Sequence, residues 1–196
     1  MDFKNTTTLD SNLLRETFES AVAAWPTDPL VVRVRWSRGA EFSGTCIYAT
    51  NRLYINLGRQ LQYPYRMETH CARGRKAWGQ YYKPSSHLEL CDGYQVCLFI
   101  FAHEYYHWLV KKAKRNTSQK ESMCDRFAAR VLIEDYGCVL RDKQGRPLPR
   151  REWYTKDLDA FVAAAARRPA TVILPPRQRA AREVITEKDS NQILLF

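Results

Sequence analysis

The chain has 196 residues, 45% of them hydrophobic and 12% aromatic, so it is long enough for one packed domain and too rich in aromatic residues to be largely disordered. Thirty-one Lys and Arg against 21 Asp and Glu give a formal net charge of +10, which favours contact with a polyanion such as nucleic acid. No apolar run approaches the roughly 18 residues of a membrane-spanning helix, and the N-terminal residues lack a signal-peptide pattern, so we expect a cytoplasmic protein without a membrane partner.

The N-terminal half predicts one helix followed by a small sheet. The helix is expected over 11–25, with a capping residue at its start and a stop at Pro26. Alternating apolar residues and turn signals then predict three strands, at 30–36, 42–49 and 52–57. A hairpin turn at 50–51 joins the last two. Residues 58–86 are predicted to be irregular, and 87–91 could add a short strand.

The strongest predicted helix spans 93–115. Its apolar residues recur at helical spacing, and its C-terminal end is basic, as the helix dipole favours. Two further helices are predicted, one over 118–136 that is ended by Gly137 and one near 152–168. The fold class expected is therefore α+β, with a small mixed or antiparallel sheet and a helical C-terminal half. We expect a domain over 1–137 and a basic extension over 138–196 that packs on it or is partly flexible.

His103-Glu104-Tyr105-Tyr106-His107 is an HExxH motif on the strongest predicted helix. Residues four apart share a helix face, so both imidazoles can bind one metal ion. Glu104 lies beside them, where its carboxylate can hold and deprotonate a metal-bound water. Zinc suits such a site because it is redox-inert and accepts nitrogen and oxygen ligands. The alternative is a basic helix whose histidines are ordinary surface residues.

A catalytic zinc needs a third protein ligand, and no histidine follows His107 in the chain. Glu121 is the next carboxylate, in the first turn of the following predicted helix, and Asp125 lies one turn later on the same face. Glu121 can therefore complete a His₂Glu ligand set while Asp125 hydrogen-bonds an imidazole. A capping box over 118–121 is the competing interpretation of Glu121. The fallback ligands are Asp125, Glu134 and Asp135.

These motifs resemble those of the gluzincin branch of zinc metallopeptidases, in which HExxH is followed by Glu-x-x-x-Asp. The run 121–128 is similar to the second-helix motif of ImmA/IrrE-like peptidases, and more distantly the chain resembles SprT-like proteases, whose third ligand is a histidine. The resemblance implies a zincin-like fold in which strand 52–57 is the edge strand over the HExxH helix. The zinc ligands it implies are His103, His107 and Glu121, with Glu104 as general base and Asp125 behind the ligands.

The function expected is a zinc-dependent endopeptidase acting on an intracellular protein, with DNA-associated proteins as one substrate class. An extended substrate is expected to pair with strand 52–57. The alternative is a non-enzymatic, basic nucleic-acid-binding protein with a structural or vestigial zinc site. Contacts with nucleic acid, to phosphates rather than bases, are expected at the end of the HExxH helix. The residues concerned are Lys111, Lys112, Lys114 and Arg115.

The six cysteines are widely spaced and form no CxxC pair, so we expect reduced thiols rather than a disulfide framework. Four zinc-type ligands lie within about two dozen residues of each other and could bind a second, structural ion, although their spacing matches no standard zinc finger. These are His70, Cys71, His87 and Cys91. Buried thiols and surface histidines are the alternative interpretation.

Overall fold

A computed structural model describes residues 1–116 and 121–154 of the chain. Within these residues the protein is a mixed α/β fold of nine strands and four helices. The strands are β1 (Asp2–Asn5), β2 (Val31–Trp36), β3 (Phe42–Ile47), β4 (Arg52–Leu57), β5 (Tyr65–Thr69), β6 (Arg75–Ala77), β7 (Gln80–Tyr82), β8 (Ser86–Leu90) and β9 (Leu140–Asp142). The helices are α1 (Ser11–Ala21), α2 (Gly93–Lys112), α3 (Glu121–Tyr136) and α4 (Arg150–Trp153).

A four-stranded mixed sheet supports the long helix α2. Its strand order is β1-β2-β4-β3, with β1, β2 and β4 parallel and β3 antiparallel to β4. Side chains alternate as the sequence predicts, since Val32 and Val34 on β2 and Leu53 and Ile55 on β4 are all buried. The predicted hairpin between the last two strands is confirmed.

The expectation that strand 52–57 is the edge strand is wrong. β3 pairs antiparallel with one side of β4, and β2 pairs parallel with its other side, so β4 lies inside the sheet. The edge strand next to α2 is therefore β3. An edge strand and an inner strand can show the same alternation of apolar and polar residues. The sequence pattern therefore does not reveal which of β3 and β4 lies at the edge.

Residues 58–86 contain three strands and are not irregular as predicted. β5, β8 and β9 form an antiparallel sheet, and β6 and β7 form a separate two-stranded hairpin. β6 and β7 have only three residues each, too few to show a hydrophobic period. β9 also places a strand in the half of the chain predicted to be helical, so that part of the prediction is wrong.

The helices begin and end close to their predicted limits, with local differences at the termini. Asp10 caps α1 as predicted, but the helix ends at Ala21 because Val22 leaves helical geometry and 22–25 form turns. Gly137, with φ of +66°, follows α3 as predicted. The capping box over 118–121 falls largely outside the described residues, as does most of the helix predicted near 152–168.

Residues 138–154 pack on the rest of the fold. β9 pairs with β8, and Trp153 of α4 is buried against the core. The remainder of the predicted extension, 155–196, lies outside the described residues. Within the residues that the structure describes, no helix combines the length and apolarity that crossing a bilayer requires.

Burial of α2 on several sides organises the core. Its Phe101 ring stacks on Phe18 of α1 with centroids 4.3 Å apart, and Tyr106 lies 5.4 Å from Phe127 of α3. The Tyr105 hydroxyl donates a hydrogen bond to the Pro26 carbonyl at 2.7 Å. A helix that is apolar nearly all round is held by its neighbours, so its few polar side chains have fixed positions.

Asn51 connects the turn between β3 and β4 to α2. Its φ is +50°, a left-handed conformation that asparagine adopts more readily than most residues. Its Oδ1 accepts a hydrogen bond at 3.0 Å from Nε1 of Trp108, which is buried in the core. The backbone of Asn51 therefore adopts the conformation that the turn requires, and its side chain accepts the hydrogen bond of a buried indole.

Replacing Asn51 with alanine should lower the free energy of unfolding by about 2–3 kcal/mol, because the indole N–H loses its acceptor and alanine is strained at positive φ. For a domain of this size, Tm should fall by roughly 4–12 °C, measured by thermal unfolding with circular dichroism. Asn51→Asp keeps an acceptor oxygen and tolerates the same backbone, so as the control it should lose less than half as much. Equal Tm values for the alanine variant and the wild type would contradict this role.

Candidate metal centre

The HExxH motif lies in the middle of α2, facing a cleft of about 200 Å³. His103 and His107 are one turn apart, and their ring centroids are 5.0 Å from each other. The first turn of α3 brings Glu121 to the same place. The predicted helical spacing therefore does place both imidazoles on one face, opposite a carboxylate from the next helix.

The Glu121 carboxylate bridges the two imidazoles. Its Oε2 lies 3.2 Å from Nε2 of His103, and its Oε1 lies 3.2 Å from Nε2 of His107. Two imidazole nitrogens and one carboxylate are a ligand set found in catalytic zinc sites. Nδ1 of His107 is buried and has no hydrogen-bond partner among the described residues, so this ring engages polar groups through Nε2 alone. The donor set and its convergence fit zinc.

Asp125 lies behind His103 and holds its ring. Nδ1 of His103 donates to Oδ1 of Asp125 at 2.8 Å, and the backbone N–H of His70 donates to Oδ2 at 2.6 Å. The Asp125 side chain is only 8% exposed. A carboxylate bound to Nδ1 fixes the tautomer that leaves Nε2 free to bind a metal, so the geometry agrees with the position expected of Asp125.

Burial and neighbouring charges shift the proton affinities of the motif. Burial lowers the pKa of His103, but hydrogen bonding and the negative charge of Asp125 outweigh it and the pKa is raised overall. Burial and the charge of His103 lower the pKa of His107, which favours the neutral, metal-binding imidazole. Burial raises the pKa of Glu104 to about 7, with His103 opposing the shift and Glu121 adding to it. Glu104 can therefore accept a proton near neutral pH.

Glu104 lines the same cleft as His103, and its carboxylate approaches the edge strand β3. A Cβ atom at Gly44 of β3 would collide with the Glu104 carboxylate, so glycine permits this close approach. Cys46, two residues further along β3, is on the same face, and burial together with the Glu104 charge raises the pKa of its thiol to about 12. The carboxylate thus lies close to the backbone of β3 at Gly44.

Cys124 provides a competing third ligand that the sequence analysis missed. Ligand atoms of His103, His107 and Cys124 lie within 4.8 Å of one another. However, burial and the charges of Glu121 and Asp125 raise the pKa of the Cys124 thiol, which opposes the thiolate form that binds zinc. The available signal was its spacing, since Cys124 follows Glu121 by three residues and shares its helix face.

The fallback ligands are not in place to bind the same ion. Asp125 is engaged with His103 and His70. Glu134 lies more than three helical turns beyond Glu121 and accepts hydrogen bonds at 2.8 Å from Arg130 and from Arg150. Asp135 follows it and is exposed.

The second metal site that the sequence left open is not assembled among the described residues. His87 and Cys71 are buried, whereas His70 and Cys91 are exposed. In the part of the chain that the structure describes, these four residues form no cluster with metal-binding distances. Their closeness in sequence is lost because β5 and β8 pair antiparallel and direct them to different neighbours.

Two of the basic residues at the end of α2 contact other parts of the protein. The Lys112 amine donates to the Asp28 carbonyl at 2.6 Å and lies 4.6 Å from the centroid of Trp108. The Lys111 amine lies 5.7 Å from the ring centroid of Tyr48. Contact of this helix end, including Lys114 and Arg115, with nucleic acid stays a prediction.

The cleft in front of the motif is lined by residues that the sequence analysis did not place there. Several come from β5 or its C-terminal end, in the region predicted to be irregular, so no local pattern could have identified them. The full set of unpredicted lining residues, from β3, β5 and α2, is Phe42, Met67, Glu68, His70, Phe99 and Ile100. The chain matches no protein-family model, no curated protein and no solved structure.

Two substitutions on α3 distinguish the donor sets. The wild type should contain about one zinc per chain, Glu121→Ala should lose it, and Cys124→Ala should keep it. Metal analysis of the purified proteins measures the content, and His103→Ala serves as the control that loses zinc under either ligand set. Loss of zinc in Cys124→Ala with retention in Glu121→Ala would assign the thiol instead. Cobalt-substituted protein adds an independent readout, because only the cysteine set gives thiolate-to-cobalt absorption.

Proposed function

We propose that this protein is a zinc-dependent endopeptidase that hydrolyses peptide bonds of a protein substrate. The observation that carries the proposal is the convergence of His103, His107 and Glu121 beside Glu104 at the edge of a sheet. When bound, zinc supplies a Lewis acid for the scissile carbonyl and lowers the pKa of water towards about 7. The remaining chemistry belongs to side chains of this chain.

Glu104 is the proposed general base. Its carboxylate is adjacent to the ligand His103 in the helix and is held in a partly buried position against β3. It accepts the proton of the attacking water and returns it to the nitrogen of the departing amine, so it ends the cycle ionised. A structural metal site has no use for such a group, which favours an enzyme over a binding protein with a structural zinc.

β3 is the proposed binding strand for the substrate. Among the described residues it pairs with β4 on one side only, and its edge runs beside Glu104 at Gly44. An extended peptide added to this edge would be oriented by backbone hydrogen bonds. The cleft next to it has apolar walls at Phe42, Met67 and Phe99, which favour an apolar substrate side chain close to the scissile bond.

The substrate is proposed to be an intracellular protein, with DNA-associated proteins as the class that the charge favours. The chain carries a net charge of +10, which concentrates it near polyanions. Phosphate contacts would raise the local concentration of a peptidase around proteins bound to the same nucleic acid.

Glu104→Gln should retain zinc while proteolysis falls at least about a hundredfold, because the amide keeps the size of the side chain but cannot accept the proton. The variant and the wild type are incubated with cell extract, and newly formed N-termini are compared. Fragments that require zinc and are absent with the variant are the expected result. Identical fragment patterns from the two proteins would exclude Glu104 as the base.

Gly44→Ala should reduce proteolysis at least about tenfold without loss of zinc, since the added methyl group must displace the Glu104 carboxylate. Thr45→Ala is the matched control, because the next residue of β3 points to the opposite face of the sheet. Turnover of a cleaved peptide, zinc content and Tm are measured for both variants. Unchanged turnover in Gly44→Ala would show that Glu104 needs no close contact with β3.

A further inference from the structure

The hairpin of β6 and β7 presents three exposed aromatic side chains at the protein surface. Trp78 in its turn is 102% exposed, and Tyr81 and Tyr82 on β7 are 63% and 46% exposed. Burial in the described core therefore accounts for none of the three. Tyr82 also lines the groove at the base of the hairpin, whereas its neighbour Tyr81 points to the opposite face of β7.

The turn of the hairpin holds Trp78 in an unfavourable backbone conformation. Ala77 pairs with Gln80, so the turn has two residues, and Trp78 and Gly79 both have positive φ, at +47° and +78°. Such turns prefer asparagine or aspartate before the glycine, and a bulky residue there is rare. A tryptophan in this conformation, exposed and unpacked among the described residues, points to a role for the ring in contact with a partner.

A groove of about 400 Å³ at the base of the hairpin is lined by basic residues from two distant parts of the chain. Arg75 and Lys83 come from the hairpin and its exit, and Lys143 and Arg146 come from the turn after β9. The pairing of β9 with β8, in which Ser86 is opposite Asp142, brings these parts together. Two basic clusters that are separate in sequence therefore form one cationic surface.

Negative charge is scarce around this groove. The sequence contains no Asp or Glu between positions 69 and 88, where four Lys and Arg occur. Asp142 lines the groove, but its carboxylate accepts hydrogen bonds from Arg146 at 2.8 Å and from the backbone of its own turn. Arg75 is partly balanced by Glu152 at 3.2 Å. The groove retains an excess of cations.

We propose that the β6–β7 hairpin and this groove bind single-stranded nucleic acid. The groove takes the phosphodiester backbone through its cations, and Trp78 and the groove-lining Tyr82 stack on unpaired bases. A positive groove beside accessible aromatic rings is the combination that sequence-independent single-strand binding uses. The concave placement of the cations suits a strand of phosphates better than a planar layer of lipid headgroups. This surface is separate from the end of α2, and the proposal does not rest on peptidase activity.

Binding is measured with the full chain by fluorescence anisotropy of a labelled oligothymidylate, over a series of salt concentrations. Lys83→Glu with Lys143→Glu should weaken binding at least tenfold and reduce the salt slope by about 1.4, since each lost phosphate contact contributes about 0.7 for a single strand. Lys111→Glu with Lys114→Glu changes the net charge equally and should weaken binding less. Equal losses in the two double variants would overturn the proposal in favour of a general charge effect.

Trp78→Ala should weaken binding about fivefold to a hundredfold with little change in the salt slope, because stacking is lost and phosphate contacts are kept. Trp78→Phe should restore part of the loss, and Tm should be unchanged in both because the side chain is exposed. The same oligonucleotide annealed to its complementary strand should bind more weakly than the single strand does. Wild-type affinity in Trp78→Ala, equal binding of the duplex, or stronger binding to anionic phospholipid vesicles than to the oligonucleotide would each overturn the proposal.

Discussion

Burial of α2 on several sides fixes the direction in which the HExxH side chains point. The two residues between the histidines are core residues, since the Tyr105 hydroxyl bonds the Pro26 carbonyl and Tyr106 packs against Phe127. Rotation of the helix about its axis would expose these rings and bury charged groups, and both changes cost free energy. His103 and His107 are therefore held towards the cleft by the packing of the opposite face, and the site inherits the rigidity of the core.

Asp125 joins the three parts of the structure that surround the motif. It lies on α3, accepts from the His103 ring on α2, and accepts from the backbone of His70 just after β5. Such a carboxylate orients a ligand and anchors a cleft wall at the same time, so neither can move independently. The cleft owes its shape to this contact together with the β5–β8 pairing. Positioning through a buried hydrogen-bond network of this kind is what catalytic geometry requires.

The sequence predicted those features that depend on local signals. The start of α2 at 93, the hairpin before β4, the cap at Asp10 and the stop at Gly137 follow from periodicity or turn chemistry, whereas α2 ends at Lys112, three residues before its predicted limit. Glu121 could be named as a candidate because it is the next carboxylate after the histidines, but its convergence with them depends on the packing of α3 against α2. Sheet order does not follow, since the position of β3 outside β4 depends on pairing between strands. The walls of the cleft on β5 depend on a partner strand about twenty residues away, which no local pattern reveals.

The hairpin and the cleft are close in the chain, and this closeness links the two proposals physically. His70 lines the cleft, and Arg75, five residues later, begins β6 and lines the cationic groove. Five residues span at most roughly 18 Å even when fully extended, so a strand held at the hairpin would pass near the cleft. A protein attached to that strand would then be presented to β3 at high local concentration, and this tethering would add to the preference for an apolar side chain that the cleft walls provide.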